Sequence, residues 1–247
     1  MNTLRIAAQK SSIPDAGSDP YTAPQFASAA LVTIDTQRDV LDAGGFPIAG
    51  TSAVLPAMRH LAEGFREARR PIVHIVRLYE QDGSNAERCR RELLAAGAQL
   101  VICDTPGCEL ASDLLPEPEL RLDGALLLSG GVQTLGPSEV AIYKPRWGAF
   151  YNTPLEEHLR ENAVSTIVFA GCNFPNCPRT SIYEASERDF RTVLVRDAIS
   201  GLYERGEHEL ANIGVHLMGS GEVISALVAS ADEAANSVRR DPAGAPG

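Results

Sequence analysis

Two cysteines, Cys172 and Cys177, stand five positions apart in AGCNFPNCPRTS, residues 170–181. Thiols so placed admit four chemistries: a metal clip, a disulfide, small buried hydrophobes, or a nucleophile on a shaped turn. A second pair with the same C-x4-C spacing, Cys103 and Cys108, allows a four-thiolate zinc set to be written down. Nothing in the sequence brings the two pairs together, and Cys172 directly continues an apolar run. A Cys172–Cys177 disulfide needs Cα atoms within about 7 Å. Five cysteines, an odd and sparse set, suit a reducing compartment better than a disulfide framework. Cys89, Cys103, Cys108 and Cys172 read as packed thiols. Cys177 fits that reading poorly. Pro178 suits the first position of a helix, which puts Cys177 at the N-cap. Unsatisfied N–H groups and the helix dipole there would lower a thiol pKa below its usual value of about 8.5 and supply donors for an oxyanion. On position alone, nucleophile and structural thiol stand level.

A cysteine hydrolase also needs a base for the thiol proton. Asp35 closes the apolar run AALVTID and is followed by polar TQR, while Lys144 follows a strand in AIYKPRWGAF. Singly, these residues read as a cap or salt-bridge acid and a solvated loop lysine. Three such groups at strand ends make a more specific pattern.

The elements that must position them follow from periodicity. Continuous apolar runs at residues 29–35, 71–78, 139–143, 165–171, 191–198 and 221–227 predict strands, the first few buried on both faces. Helical spacing predicts helices over residues 51–70, 85–100, 178–190 and 207–219. Strands alternating with helices imply an α/β fold, a doubly wound and mostly parallel six-stranded sheet with helices on both faces. In such sheets the ligand crevice lies beyond the carboxyl ends of the strands. That rule singles out Asp35, residues 77–79, Lys144 and residues 171–177. Residues 1–27 read as an N-terminal arm, 28–230 as one domain, 79–138 as an irregular segment framing the crevice, and 236–247 as a disordered tail.

Composition narrows the function. The chain has 247 residues, 44 % of them hydrophobic and 22 % charged, which is ordinary for a soluble globular protein. A formal charge of -10 argues against nucleic acid as a partner, since phosphate contacts need a basic face. No apolar run approaches the roughly 18 residues that span a bilayer, and the opening residues lack a secretory signal's apolar stretch. The expectation is a cytoplasmic protein without membrane contact.

Three stretches, LVTIDTQRDVLDAGG, YKPRWGAFYNTPLEEHLRE and TIVFAGCNFPNCPRTSIYEASERDFRTVLVRDA, resemble the isochorismatase-like cysteine hydrolase superfamily. The likeness covers roughly residues 29–78 and 138–227. It implies an Asp35–Lys144–Cys177 triad in which Asp35 is the base for the thiol, Lys144 supports the pair, and Cys177 attacks an amide carbonyl to form a thioester. It further implies a cis peptide at Cys172–Asn173 and an oxyanion hole from the Asn173 and Cys177 N–H groups. The D-x-H metal pattern of nicotinamidases is absent from HIVRLYEQDGSN, so no metal and no cofactor are expected, and His74 reads as a core histidine. The resemblance leans instead to the N-carbamoylsarcosine and maleamate amidohydrolase branches.

Around the nucleophile the family's G-V-x-T-x-x-C-V becomes GCNFPNCP, so the turn differs and Phe174 is expected to line the pocket. Arg179 suits a substrate carboxylate. Gln37, two positions past the base, Phe46 in DAGGFPIAG, and Trp147, the only tryptophan, complete the expected substrate-binding set. Asp197 ends a strand and is assigned a structural role. The expected activity is cleavage of a small amide or ureido compound, with a substrate carboxylate and self-association into a homodimer or homotetramer implied by resemblance. The alternative is a catalytically silent binding or assembly subunit that kept the scaffold while the altered turn lost its oxyanion geometry.

Overall fold

The strand Ala29–Ile34 (β1) is buried along its whole length, and so are Ile72–Val76 (β2) and Thr166–Gly171 (β5). Their largely apolar runs exist because both faces of the sheet are covered; the buried Thr33 and His74 within them hydrogen-bond each other at 2.7 Å. Alternate residues of each strand enter opposite cores. Ala30, Val32, Ile34, Val73, Ile75, Ile167 and Phe169 join one cluster with Leu155, Leu159 and Ile182. Ala29, Leu31, Ile72, Val168 and Ala170 join the other, against Met58, Leu61, Phe65, Val223 and Leu227.

The computed structural model describes residues 19–240, with side chains through 232. The remaining elements are α1 (Thr51–Glu67), α2 (Arg88–Ala95), α3 (Gly124–Leu128), β3 (Val132–Gly136), β4 (Glu139–Tyr143), α4 (Leu155–Glu161), α5 (Cys177–Ser186), β6 (Arg191–Ile199), α6 (Glu204–Ala211), β7 (His216–Met218) and α7 (Ser220–Arg240). The sheet order is β3-β4-β2-β1-β5-β6-β7, parallel except for the β3–β4 pair. From β1 the chain moves outward through β2 to β4, then returns to place β5 on the other side of β1. The strand order therefore reverses at β1 and β5, where a doubly wound sheet opens its crevice.

The architecture is the expected α/β sheet with helices on both faces, but among the described residues it has seven strands rather than six. β3, an antiparallel edge strand, is only partly buried and carries no apolar run. Residues 221–227 form part of α7, not a strand: Val223 and Leu227 lie one helical turn apart and pack against α1. Asp197 holds the start of that helix, accepting from the Ser220 N–H at 2.8 Å and its hydroxyl at 2.6 Å. The last strand is instead the short β7, inside the stretch expected to be helical to residue 219.

The expected N-terminal arm lies outside the described residues up to position 18. Its described part packs on the sheet: Phe26 touches the core, and the Gln25 N–H donates to Thr166 Oγ1 at 2.8 Å. The tail expected to be irregular from 236 is helical to Arg240, and residues 241–247 lie outside the described residues. Among the described residues no helix is long and apolar enough to cross a membrane.

Candidate active site

Three strand ends deliver the site. Asp35 follows β1 in the left-handed region, at φ 51°, where side chains other than glycine seldom settle. That turn takes the chain out of the sheet and aims the carboxylate into the crevice. Next to it, β5 ends at Gly171, φ 127°, where a Cβ would run into the Ile34 backbone. Only glycine lets the two strand ends approach so closely. The Cys172 N–H then donates to Ile34 O at 2.9 Å, and its thiol to Asp35 O at 3.2 Å. Cys172 is thus a buried structural thiol that braces the Asp35 turn.

Lys144 leaves β4, its N–H donating to Val76 O at 3.0 Å. Its side chain is 1 % exposed, and its Nζ lies 2.9 Å from Asp35 Oδ2 and 3.3 Å from Cys177 Sγ. A third Nζ contact, to Arg146 O at 3.2 Å, fixes the ammonium's orientation. Cys177 is the first residue of α5, and Asn176 is the N-cap, one position earlier than expected. The Cys172–Asn173 peptide is cis. Neither the Asn173 nor the Cys177 N–H donates to a backbone acceptor among the described residues. Asp35 Oδ1 is buried without a hydrogen-bond partner, an acceptor left open beside the thiol.

The electrostatics differ from the sequence expectation. Burial, and next the Asp35 carboxylate, push the Cys177 thiol up to about 12, while Lys144 pulls the other way. Burial disfavours the Lys144 ammonium, yet Asp35 and Cys177 together hold its pKa above the usual lysine value. Burial and the Asp35 charge thus both favour the protonated thiol over the thiolate.

These groups line a cavity of about 150 Å3. Phe46, Trp147, Asn173 and Asn176 line it, with apolar walls from Val40, Ile48, Leu93, Leu100 and Val101. Gln37 is in the lining, but its amide is already engaged: Nε2 donates to Arg77 O at 2.8 Å and Cys108 O at 2.5 Å, and Oε1 accepts from the Arg77 N–H at 2.8 Å. It ties loops together rather than facing a ligand.

Two expected substrate contacts lie elsewhere. Phe174 is fully buried in the core, edge-on to Tyr203 at 5.4 Å, because its N–H donates to Ser200 O at 2.8 Å and turns the ring away from the cavity. Arg179 points off the opposite side of α5, pairing with Glu209 at 2.5 Å and donating to Tyr203 Oη at 2.7 Å.

The sequence reading missed Glu87, Arg90 and the apolar wall from the segment between β2 and β3. Arg77 follows β2, where the strand-end rule points, but its partner Glu87 carries no sequence signal. Arg77 forms a close ion pair with Glu87 and donates to Lys144 O at 2.7 Å, and Tyr79 Oη donates to Glu87 Oε2 at 2.9 Å. This buried pair supports Lys144 from behind. His74 is a core histidine bonded to Thr33 Oγ1 and Glu139 Oε1 at 2.7 and 2.8 Å. Among the described residues no three His, Cys, Asp or Glu side chains converge as a metal set, so the four-thiolate zinc arrangement does not form.

Known proteins resemble this chain in sequence and in fold. The isochorismatase domain family matches residues 130–226. The isochorismatase family protein YecD of Escherichia coli O157:H7 is 30 % identical over 173 residues, spanning 70 % of this chain and 80 % of that protein. Ureidoacrylate amidohydrolase RutB of Methylobacterium radiotolerans is 26 % identical over 208 residues, 76 % of this chain and 73 % of its own length. A probable inactive nicotinamidase of Arabidopsis thaliana is 26 % identical over 200 residues, 78 % and 93 % of the two chains. The crystal structure of an isochorismatase family protein from Desulfovibrio vulgaris superposes with a TM-score of 0.69 at 27 % identity, covering 81 % of this chain and 98 % of that one.

Proposed function

This chain belongs to the isochorismatase family, and from that premise we propose that it hydrolyses the C–N bond of a small amide or ureido compound through a Cys177 thioester. The observation that carries the reading is the contact of one buried ammonium, Lys144, with both Asp35 and Cys177 in the wall of a cavity. The likeness to a ureidoacrylate amidohydrolase supports the bond type.

A thiol with a pKa of about 12 is ionised at pH 7 in only about one molecule in 10^5. Attack therefore needs the proton removed as the C–S bond forms. Asp35 accepts it, with Lys144 keeping the carboxylate in place. The carbonyl oxygen takes the negative charge and is met by the free N–H groups of Asn173 and Cys177. Collapse breaks the C–N bond as Asp35 returns the proton to nitrogen, and ammonia or an amine leaves. Water, deprotonated by Asp35, then adds to the thioester, and the C–S bond breaks with the proton returning to sulfur.

The test is ammonia release across a panel of small primary amides and ureido acids, with wild-type protein and Cys177→Ala, and intact mass of the enzyme trapped during turnover. The expected result is release that vanishes in the variant, with an acyl mass on Cys177. Release that survives Cys177→Ala sinks the thioester route. Inertness toward the whole panel, with no acyl mass on Cys177, leaves the silent binding subunit as the better reading.

A further inference from the structure

Five charged side chains line the cavity: Asp35, Arg77, Glu87, Arg90 and Lys144. Four of them are paired, Lys144 with Asp35 and Arg77 with Glu87. Arg90, half-buried on α2, makes no ion pair and no side-chain hydrogen bond among the described residues. Its guanidinium lies 5.9 Å from the centroid of Trp147, a face that orients the fork without satisfying its N–H donors. The cavity therefore holds one uncompensated positive charge, in a protein whose formal net charge is -10. An arginine with open donors beside a small, largely apolar cavity is suited to a planar anion, which it can bind by two parallel hydrogen bonds. Arg179, the arginine favoured by its nearness to the nucleophile, is occupied by Glu209.

We infer that Arg90 is the specificity-determining residue of this site, selecting substrates that carry a carboxylate at the end opposite the scissile amide. The inference rests on the amide-hydrolase reading and names the substrate class it serves. The amide carbon sits at Cys177, the carboxylate at Arg90, and the chain between them lies against Trp147, Phe46 and Leu93. The cavity of about 150 Å3 suits a molecule of roughly ten heavy atoms or fewer.

Binding can be read without turnover in Cys177→Ser protein. Calorimetric titration compares succinamate, a four-carbon amide with one carboxylate, with succinamide, its neutral diamide. Succinamate is expected to bind about tenfold or more tightly, as a charge-assisted contact implies. Adding Arg90→Gln should remove that preference and leave succinamide affinity within about twofold, while Arg90→Lys should restore part of it. Equal affinities for the two ligands, a preference that survives Arg90→Gln, or binding of neither ligand would each overturn the inference. Ammonia release from the same compounds by wild-type protein separates the two readings. Arg90-dependent binding without hydrolysis would count against the amidase alone, and hydrolysis indifferent to the carboxylate against Arg90 alone.

Discussion

Replacing Asp35 with Asn should make Cys177 react faster with an alkylating agent while making the enzyme slower. In the intact site Asp35 has two opposed effects: its charge keeps the proton on sulfur, and its oxygen takes that proton during attack. Asp35 Oδ2 and Cys177 Sγ lie 2.9 and 3.3 Å from the same Nζ, so they are no more than about 6.2 Å apart. At that largest separation and an effective dielectric of about 20, the charge is worth at least roughly 3 kcal/mol, which corresponds to about 2 or more in pKa. Neutral Asn therefore brings the thiol from about 12 toward about 10 and raises the thiolate fraction at pH 8 by about 100-fold. The less basic thiolate is intrinsically slower by about tenfold, leaving a net gain of about tenfold. The assay is iodoacetamide labelling at pH 8, with peptide mass resolving Cys177 from the other four cysteines. Amide turnover over the same pH range should fall by about 10^2 to 10^4, the usual contribution of a general base. For the wild type, labelling of Cys177 should keep rising past pH 9 without a plateau, because the folded thiol binds its proton above the ordinary range. A variant in which labelling slows together with turnover would refute the reasoning, since the carboxylate would then be activating the thiol rather than holding its proton.

Lys144→Met should move labelling in the opposite direction, because the ammonium is the group pulling the thiol pKa down, and should cost about 3 kcal/mol in urea unfolding by leaving Asp35 without its buried partner. Phe174→Ala should cost about 3–5 kcal/mol of stability and leave KM unchanged for a substrate still turned over, because the ring fills core rather than cavity; a raised KM at unchanged stability would put the ring back at the pocket mouth.

The strands that build the site are legible in the sequence for a local reason. A strand buried on both faces is apolar at nearly every position, so the runs at β1, β2, β4 and β5 mark themselves, and so do the residues that follow them. Asp35, Lys144 and Cys177 could be grouped because each lies at or near the end of such a run, and parallel topology collects strand ends on one side of the sheet. Residues 221–227 misled because Val223, Ile224, Ala226 and Leu227 satisfy a short strand and a helix equally well. Packing against α1, not periodicity, decides that case.

What tertiary structure alone decided is where side chains point and what charges surround them. Phe174 and Arg179 flank the nucleophile in sequence, yet backbone hydrogen bonding and α6 draw both away from the cavity. Glu87, Arg90 and Leu93 belong to a stretch whose helical spacing is legible but whose place against the site is not, and only the fold brings them over it. The helix start predicted an acidic thiol, a sound expectation for an exposed one. Burial beside the Asp35 carboxylate reversed its sign, because desolvation and a neighbouring charge inside the protein outweigh the partial charge of one helix end. Sequence names the reacting groups through local pattern. The surroundings that set their protonation come from elements distant in the chain, and those exist only once the sheet is assembled.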